Sequence, residues 1–327
     1  MEFRTTFSIP SSVKKISYSD PVMLIGSCFA NSIGQKLELG KMPVLINPSG
    51  TVYNPVSVNN TLNSIIERKK INEENLYNYD GIWISFEHYT DFSSDNPEVV
   101  IERINRKSEE AYKFLSSAGF LFITFGTARV FRWNQSGKIV SNCHKIPASM
   151  FTRELLGVDE IVHLWSILLD RLRLLFPGLQ TVFTVSPVRH WKDGAHGNQI
   201  SKSVLFLAVE QLLGHPSKPV YFPAYELVMD DLRDYRFYGE DMIHLSAQSV
   251  DYVWESFSST YFDKTTINIW KEVAKISKAV SHIIQTGSKD QIKKFALKMI
   301  SRIEEVTGKY PDIDLGNEKG YFLDLLK

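Results

Sequence analysis

The string Gly26-Ser27-Cys28 directly follows the apolar run Pro21-Val22-Met23-Leu24-Ile25, so it sets a serine where a buried strand turns into a helix. A hydroxyl at such a turn stands at the open edge of a sheet. The unpaired N–H groups of the helix's first turn favour negative charge developing nearby, which suits a nucleophile. The same residues also make an ordinary tight turn with a serine N-cap. A second group far along the chain strengthens the chemical reading: Asp241-Met242-Ile243-His244 places an acid three residues before a histidine. Histidine is the usual general base near neutral pH and needs a carboxylate or carbonyl on its other ring nitrogen to fix the tautomer. In a short turn this spacing can point both side chains one way, so a single loop would bring the base and its orienting group to the serine. The chemistry expected is acyl transfer, with Ser27 as nucleophile, His244 as general base and then acid, and Asp241 as orienting carboxylate.

The elements that must position these groups are legible in the hydropathy pattern. Apolar runs alternate with longer amphipathic stretches, the signature of an α/β sheet with crossover helices. Strands are expected at 21–26, 42–46, 119–125, 180–186 and 218–222, and helices at 29–39, 57–70, 97–117, 152–175 and 198–213. In the fourth helix Ile161, Leu164, Leu168, Leu172 and Leu175 recur at steps of three and four, a core-packing stripe. Segment 73–96 is rich in Asn, Tyr, Asp and Ser around Trp83, Phe86 and His88, and reads as an insertion near the site. Beyond residue 261 two lysine-rich helical stretches, 265–285 and 288–306, precede a polar tail. The expected organisation is a hydrolase-sized domain over 1–261 and a helical extension over 262–327 packed on it.

At 327 residues, 43% hydrophobic and 23% charged, the chain can bury a substantial core. Its 37 basic and 37 acidic residues cancel, which gives no global reason to expect nucleic acid or an anionic membrane as partner. No run approaches ~18 uninterrupted apolar residues, and residues 1–10 contain no signal-peptide core. A soluble, cytoplasmic protein is expected. Two cysteines, Cys28 and Cys143, build neither a disulfide framework nor a four-cysteine zinc site, and Cys28 is expected as a small buried packing residue. His144, His190 and His196 sit in polar or aromatic neighbourhoods, but no His-Glu-x-x-His helix accompanies them, so neither metal nor cofactor is expected. Arg189-His190 follow the strand ending at Ser186, and residues beyond the carboxyl end of a parallel strand line the cleft of an open α/β sheet. Arg189 there would either bind substrate or pair with a nearby aspartate.

Together with Asn47-Pro48-Ser49-Gly50-Thr51-Val52-Tyr53-Asn54-Pro55, Phe125-Gly126-Thr127-Ala128-Arg129-Val130-Phe131, Asn142-Cys143-His144-Lys145 and Ser186-Pro187-Val188-Arg189-His190, these residues give the chain a family likeness. It resembles the GSCFA family, named for the string at 26–30, within the SGNH or GDSL hydrolase superfamily. The resemblance implies a three-layer, flavodoxin-like sandwich around a mostly parallel sheet and the order Ser27, Asp241, His244. It also implies an oxyanion hole from the backbone N–H groups of Ser27 and Gly50 and substrate contacts from Arg189 and His190. Many superfamily members add an asparagine two residues after a glycine in the middle motif. Here Gly126 is followed by Thr127 and Ala128, leaving Thr127 or Asn142 as substitutes.

The implied activity is hydrolysis of a carboxylic ester on a carbohydrate, such as an O-acetylated sugar or glycan. An acyltransferase would use the same residues. A non-catalytic carbohydrate-binding protein, stacking sugars on Trp83 and Phe86, is the alternative from a different class. Oligomeric state is not legible.

Overall fold

The computed structural model describes residues 5–281 and 288–327; positions 282–285 of the helical stretch expected over 265–285 lie outside them. Five parallel strands form the central sheet in the order β2 (Val44–Ile46), β1 (Val22–Gly26), β5 (Phe120–Phe125), β9 (Gln180–Val185) and β10 (Val220–Tyr221). β1 and β5 are buried on both faces, as strands covered by helices must be. Alternation along them separates two cores. Met23, Ile25, Leu121, Ile123 and Phe125 point to one face, and Val22, Leu24, Phe120 and Phe122 to the other.

The first face is covered by α2 (Pro55–Ile66), α3 (Pro97–Ser117), α4 (Val158–Leu175) and α5 (Gly194–Leu213). The second is covered by α1 (Cys28–Leu39) and α7 (Ala247–Tyr261), with the one-turn α6 (Ala224–Glu226) between β10 and α7. Each large apolar side chain fully buried between these layers contributes about 1.5–3 kcal/mol. The result is a three-layer α/β sandwich. Of the leucine stripe in α4, Ile161, Leu168 and Leu172 reach this core, whereas Leu175 is exposed.

Two smaller sheets stand beside it. The polar segment 73–96 contains the hairpin β3 (Tyr77–Tyr79) and β4 (Ile82–Ile84), and an antiparallel sheet is ordered β7 (Ile139–Val140), β6 (Arg129–Trp133), β8 (Phe151–Leu155). The helix expected over 152–175 is corrected here: its first residues are strand β8, and α4 begins after Gly157. Only Ile161 onward carries the helical period, while Phe151 faces Trp133 across the ladder.

The helices α8 (Lys264–Ser281), α9 (Lys289–Lys309) and α10 (Gly316–Asp324) enclose their own cluster, including Val273, Ile276, Ile303 and Phe322. Trp270 ties them to the sandwich. Its indole N–H donates to the Lys36 carbonyl at 2.8 Å, its ring packs 4.9 Å from Trp254, and it fills the space a side chain on Gly40 would need.

Candidate active site

Strand order reverses at β1, with β2 on one side and β5 on the other, so the carboxyl ends of β1 and β5 flank the crevice where open α/β sheets bind ligands. Ser27 stands at that point. Gly26 ends β1 with φ +142°, and a β-carbon there would lie 2.1 Å from the Thr124 carbonyl oxygen, so the close approach of β5 requires glycine. The Gly26 N–H donates to Asn47 Oδ1 at 2.8 Å. Ser27 caps α1, its Oγ accepting from the Phe29 N–H at 3.4 Å, and it is 2% exposed. Directly after β5, Gly126 leaves room for three groups. A β-carbon there would sit 3.1 Å from His190 Nε2, 3.1 Å from the Tyr53 carbonyl and 3.4 Å from Ser27 Cβ.

Asp241 and His244 lie on a loop closed by the Gly239 N–H donating to the His244 carbonyl at 2.7 Å and by the Tyr238–Leu245 bridge. Asp241 Oδ1 accepts the backbone N–H groups of Ile243 and His244 at 3.0 and 2.9 Å, and Oδ2 lies 2.6 Å from His244 Nδ1. The bonds from His244 and Ile243 hold the Asp241 carboxyl down at about 2. With Nδ1–H given to an ionised carboxylate, a neutral His244 presents a lone pair on Nε2, which is what a general base needs. Ser27 and His244 line one cavity of about 690 Å³. No hydrogen bond joins them; such contacts commonly tighten only once substrate is bound.

The cavity also receives Cys28, Thr51, Tyr53, Tyr89, Thr127, Asn142, Arg189 and His190. Burial, followed by the charges of Lys202, Arg153 and His244, lowers His190 to about 4, so its ring is neutral over the working range. Burial and the neighbouring Cys28 raise the Tyr53 phenol far above its usual range, which keeps it a donor. Cys28, expected to be buried packing, instead borders the cavity with its sulfur 3.7 Å from Tyr53 Oη. Burial also raises the Cys143 thiol, to about 11.

The oxyanion donors expected from the resemblance are engaged elsewhere. The Ser27 N–H donates to the Thr124 carbonyl at 3.2 Å, and the Gly50 N–H donates to the Asn47 carbonyl at 2.7 Å. Gly50, at φ +83°, packs against Tyr89 rather than lining the cavity. The Thr127 hydroxyl accepts from the Arg129 N–H and contacts Ser201 Oγ at 2.9 Å, while the Asn142 amide reaches Thr90 Oγ1 at 3.3 Å. Among the described residues, the N–H groups of Cys28 and Thr51 are without an acceptor, and both residues border the cavity.

Trp83 lies outside the cavity, packed on the cluster of Ile71, Phe92, Val100 and Ile104, and Phe86 packs against Tyr77 and Trp133. Tyr89 is the residue of that segment that reaches the site. His144 and His196 are not in the lining; His144 Nε2 is bonded to the Ser85 carbonyl at 2.8 Å. Arg189 stacks over Trp191 at 5.2 Å and makes no ion pair among the described residues. No three His, Cys, Asp or Glu side chains of the described residues converge to hold a metal, and no described helix is long and apolar enough to cross a membrane.

Sequence reasoning passed over Lys202. It is fully buried beneath the site, and its ammonium donates to the carbonyls of Gly126 at 2.6 Å and Ser186 at 2.7 Å, the ends of β5 and β9. Burial brings it down to about 7. Its signal was available: Asn198, Ser201 and Lys202 place polar groups on the same face of α5 as Leu205, Val209 and Leu212. Arg129, Arg153 and Asp193 were also passed over; the carboxylate of Asp193, with no exposure, sits between the two guanidiniums.

The GSCFA family model matches residues 21–257. No curated protein matches the sequence. Among solved structures, a protein from Streptococcus pneumonia described provisionally as a platelet activating factor aligns at 11% identity and a TM-score of 0.39, covering 76% of this chain and 86% of its own. A protein from Parabacteroides merdae ATCC 43184 described provisionally as a GDSL-like lipase aligns at 12% identity and a TM-score of 0.35, covering 82% and 99%.

Proposed function

Since this chain belongs to the GSCFA family, we propose that it is a serine-dependent hydrolase of carboxylic esters of the SGNH kind, removing O-acetyl or other acyl groups from a carbohydrate. The single observation that carries the reading is that Ser27, at the end of β1, and His244, oriented by Asp241, border one cavity. In this mechanism His244 Nε2 takes the Ser27 proton as Oγ attacks the ester carbonyl. The tetrahedral oxyanion collapses to an acyl-serine as His244 returns the proton to the leaving sugar oxygen, and water then releases the acid by the same steps in reverse. The dipole of α1 favours the oxyanion, and we assign as its donors the N–H groups of Cys28 and Thr51, which are unengaged on residues that border the cavity. An acceptor sugar reaching the acyl-serine in place of water would make the same site an acyltransferase.

One observation favours a second reading, a carbohydrate-binding protein without turnover: the N–H groups of Ser27 and Gly50 are already bonded to main-chain carbonyls. Acetate release from acetylated sugars, with and without an added acceptor sugar, separates these readings. Release that is lost in Ser27→Ala supports hydrolysis. Transfer to the acceptor supports the transferase, and binding of the same sugars with neither product supports the binding protein.

A further inference from the structure

The cavity that holds Ser27 is lined by Arg129, Lys145, Arg153, Arg189 and Lys192 and by no aspartate or glutamate. In a chain whose 37 basic and 37 acidic residues balance, this is a local segregation of charge. Arg129 and Arg153 share one carboxylate, that of the buried Asp193, so one positive charge of the three groups is left over. Arg189, Lys145 and Lys192 make no ion pair among the described residues. Nε of Arg189 and Nε of Arg129 are both buried without a hydrogen-bond acceptor. The crowding is felt by neighbours: burial and the Arg129 charge lower Arg153, and the Arg153 charge is among those that lower His190.

Like charges gathered in one concave surface repel one another unless an anion joins them, and they raise the local concentration of anions. Guanidinium forks match the paired oxygens of a carboxylate or a phosphate. Beside them, Tyr89, Phe131 and Phe151 give the same lining an apolar and aromatic surface suited to the body of a sugar ring, with the Arg153 guanidinium 5.4 Å from the Phe131 ring centre. Building on the hydrolase reading above, we infer that the sugar presented to Ser27 is itself anionic. Its carboxylate or phosphate is held by Arg189 with the Arg129–Arg153 pair, while the exposed Lys145 and Lys192 draw it in.

Titration calorimetry of the full chain with glucuronate, glucose 6-phosphate and glucose, at low and high sodium chloride, tests this without requiring turnover. The anionic sugars are expected to bind at least roughly tenfold more tightly than glucose. That advantage should shrink as salt screens the rim lysines. The double variant Lys145→Gln/Lys192→Gln, on exposed side chains, and the single variant Arg189→Gln should each reduce it several-fold. The carboxylate and phosphate arms identify which group the site takes. Glucose binding as tightly as its anionic relatives overturns the inference, as does no binding of either anionic sugar or anion binding indifferent to both variants. A fluorophosphonate serine probe on the same samples separates the two failures. Labelling of Ser27 without anion preference removes only the anionic substrate, whereas anion preference without labelling keeps the anion site and removes the hydrolase.

Discussion

Replacing Lys202 by methionine removes a charge from under the site and makes a quantitative test of how that charge is tolerated. The ammonium is fully buried and is held by two carbonyls, at 2.6 and 2.7 Å. A lysine that titrates near 10.5 when unfolded and at about 7 when folded binds its proton less readily in the folded chain throughout that window. The unfolded state therefore holds more protons there, and stability rises with pH between those values. At about 1.36 kcal/mol per pH unit, with partial titration at each end, the Lys202 contribution changes by about 3 kcal/mol between about pH 7 and about pH 9.5. Lys202→Met lacks this dependence. At neutral pH the variant gains by losing a desolvated charge but leaves two carbonyls without a donor, at a cost of about 1–3 kcal/mol each, so the terms oppose. At high pH only the second remains, because a neutral amine still has two N–H donors. Urea denaturation followed by circular dichroism should show the stability gap, wild type minus variant, widening by about 3 kcal/mol in favour of the wild type over that interval. A gap that stays flat, or narrows, refutes the buried-charge argument.

Gly26→Ala places a β-carbon 2.1 Å from the Thr124 carbonyl at φ +142°, and should cost about 3 kcal/mol or more, read from the denaturation midpoint; a variant as stable as wild type removes the close-packing argument for the strand end. His190 is held to about 4, so the unfolded chain takes up a proton below about 6.5 that the folded chain refuses. Stability should then be full above that pH and fall on acidification, by on the order of 3 kcal/mol down to about pH 4, and His190→Gln should flatten this slope. Asp241→Asn leaves His244 without its orienting carboxylate, and acetate release should fall by about 10²–10⁴. A release rate unchanged in Asp241→Asn takes the pair out of the mechanism.

The central sheet was legible because its strands are uninterrupted apolar runs and its helices carry a clear period; the strands at 22–26, 120–125 and 180–185 needed nothing more. β8 was not legible. Phe151 to Leu155 reads as the approach to a leucine-rich helix, and only its pairing with Arg129 to Trp133 makes it a strand. The strand-end position of Ser27 and the local Asp241–His244 bond followed from short-range geometry that sequence spacing encodes. Which groups surround them did not. Arg153 and Lys145 come from the small antiparallel sheet and the loop beside it, and Lys202 reaches up from a helix, so their convergence depends on tertiary packing. Aromatics fared likewise: Trp83 and Phe86 look available in a polar segment, yet the hairpin turns them into two small cores and offers Tyr89 instead. The expected Gly50 donor failed for a backbone reason, since its N–H closes a turn with Asn47.

Both His244 and His190 border the cavity with Ser27, so the claim that His244 activates the serine is tested most directly by the rate at which a fluorophosphonate modifies Ser27, mapped by mass spectrometry, in wild type, His244→Ala and His190→Ala. The account predicts labelling at Ser27 in the wild type, a fall of about a hundredfold or more in His244→Ala, and a smaller change in His190→Ala. Labelling of His244→Ala at the wild-type rate, or its loss in His190→Ala alone, contradicts the account.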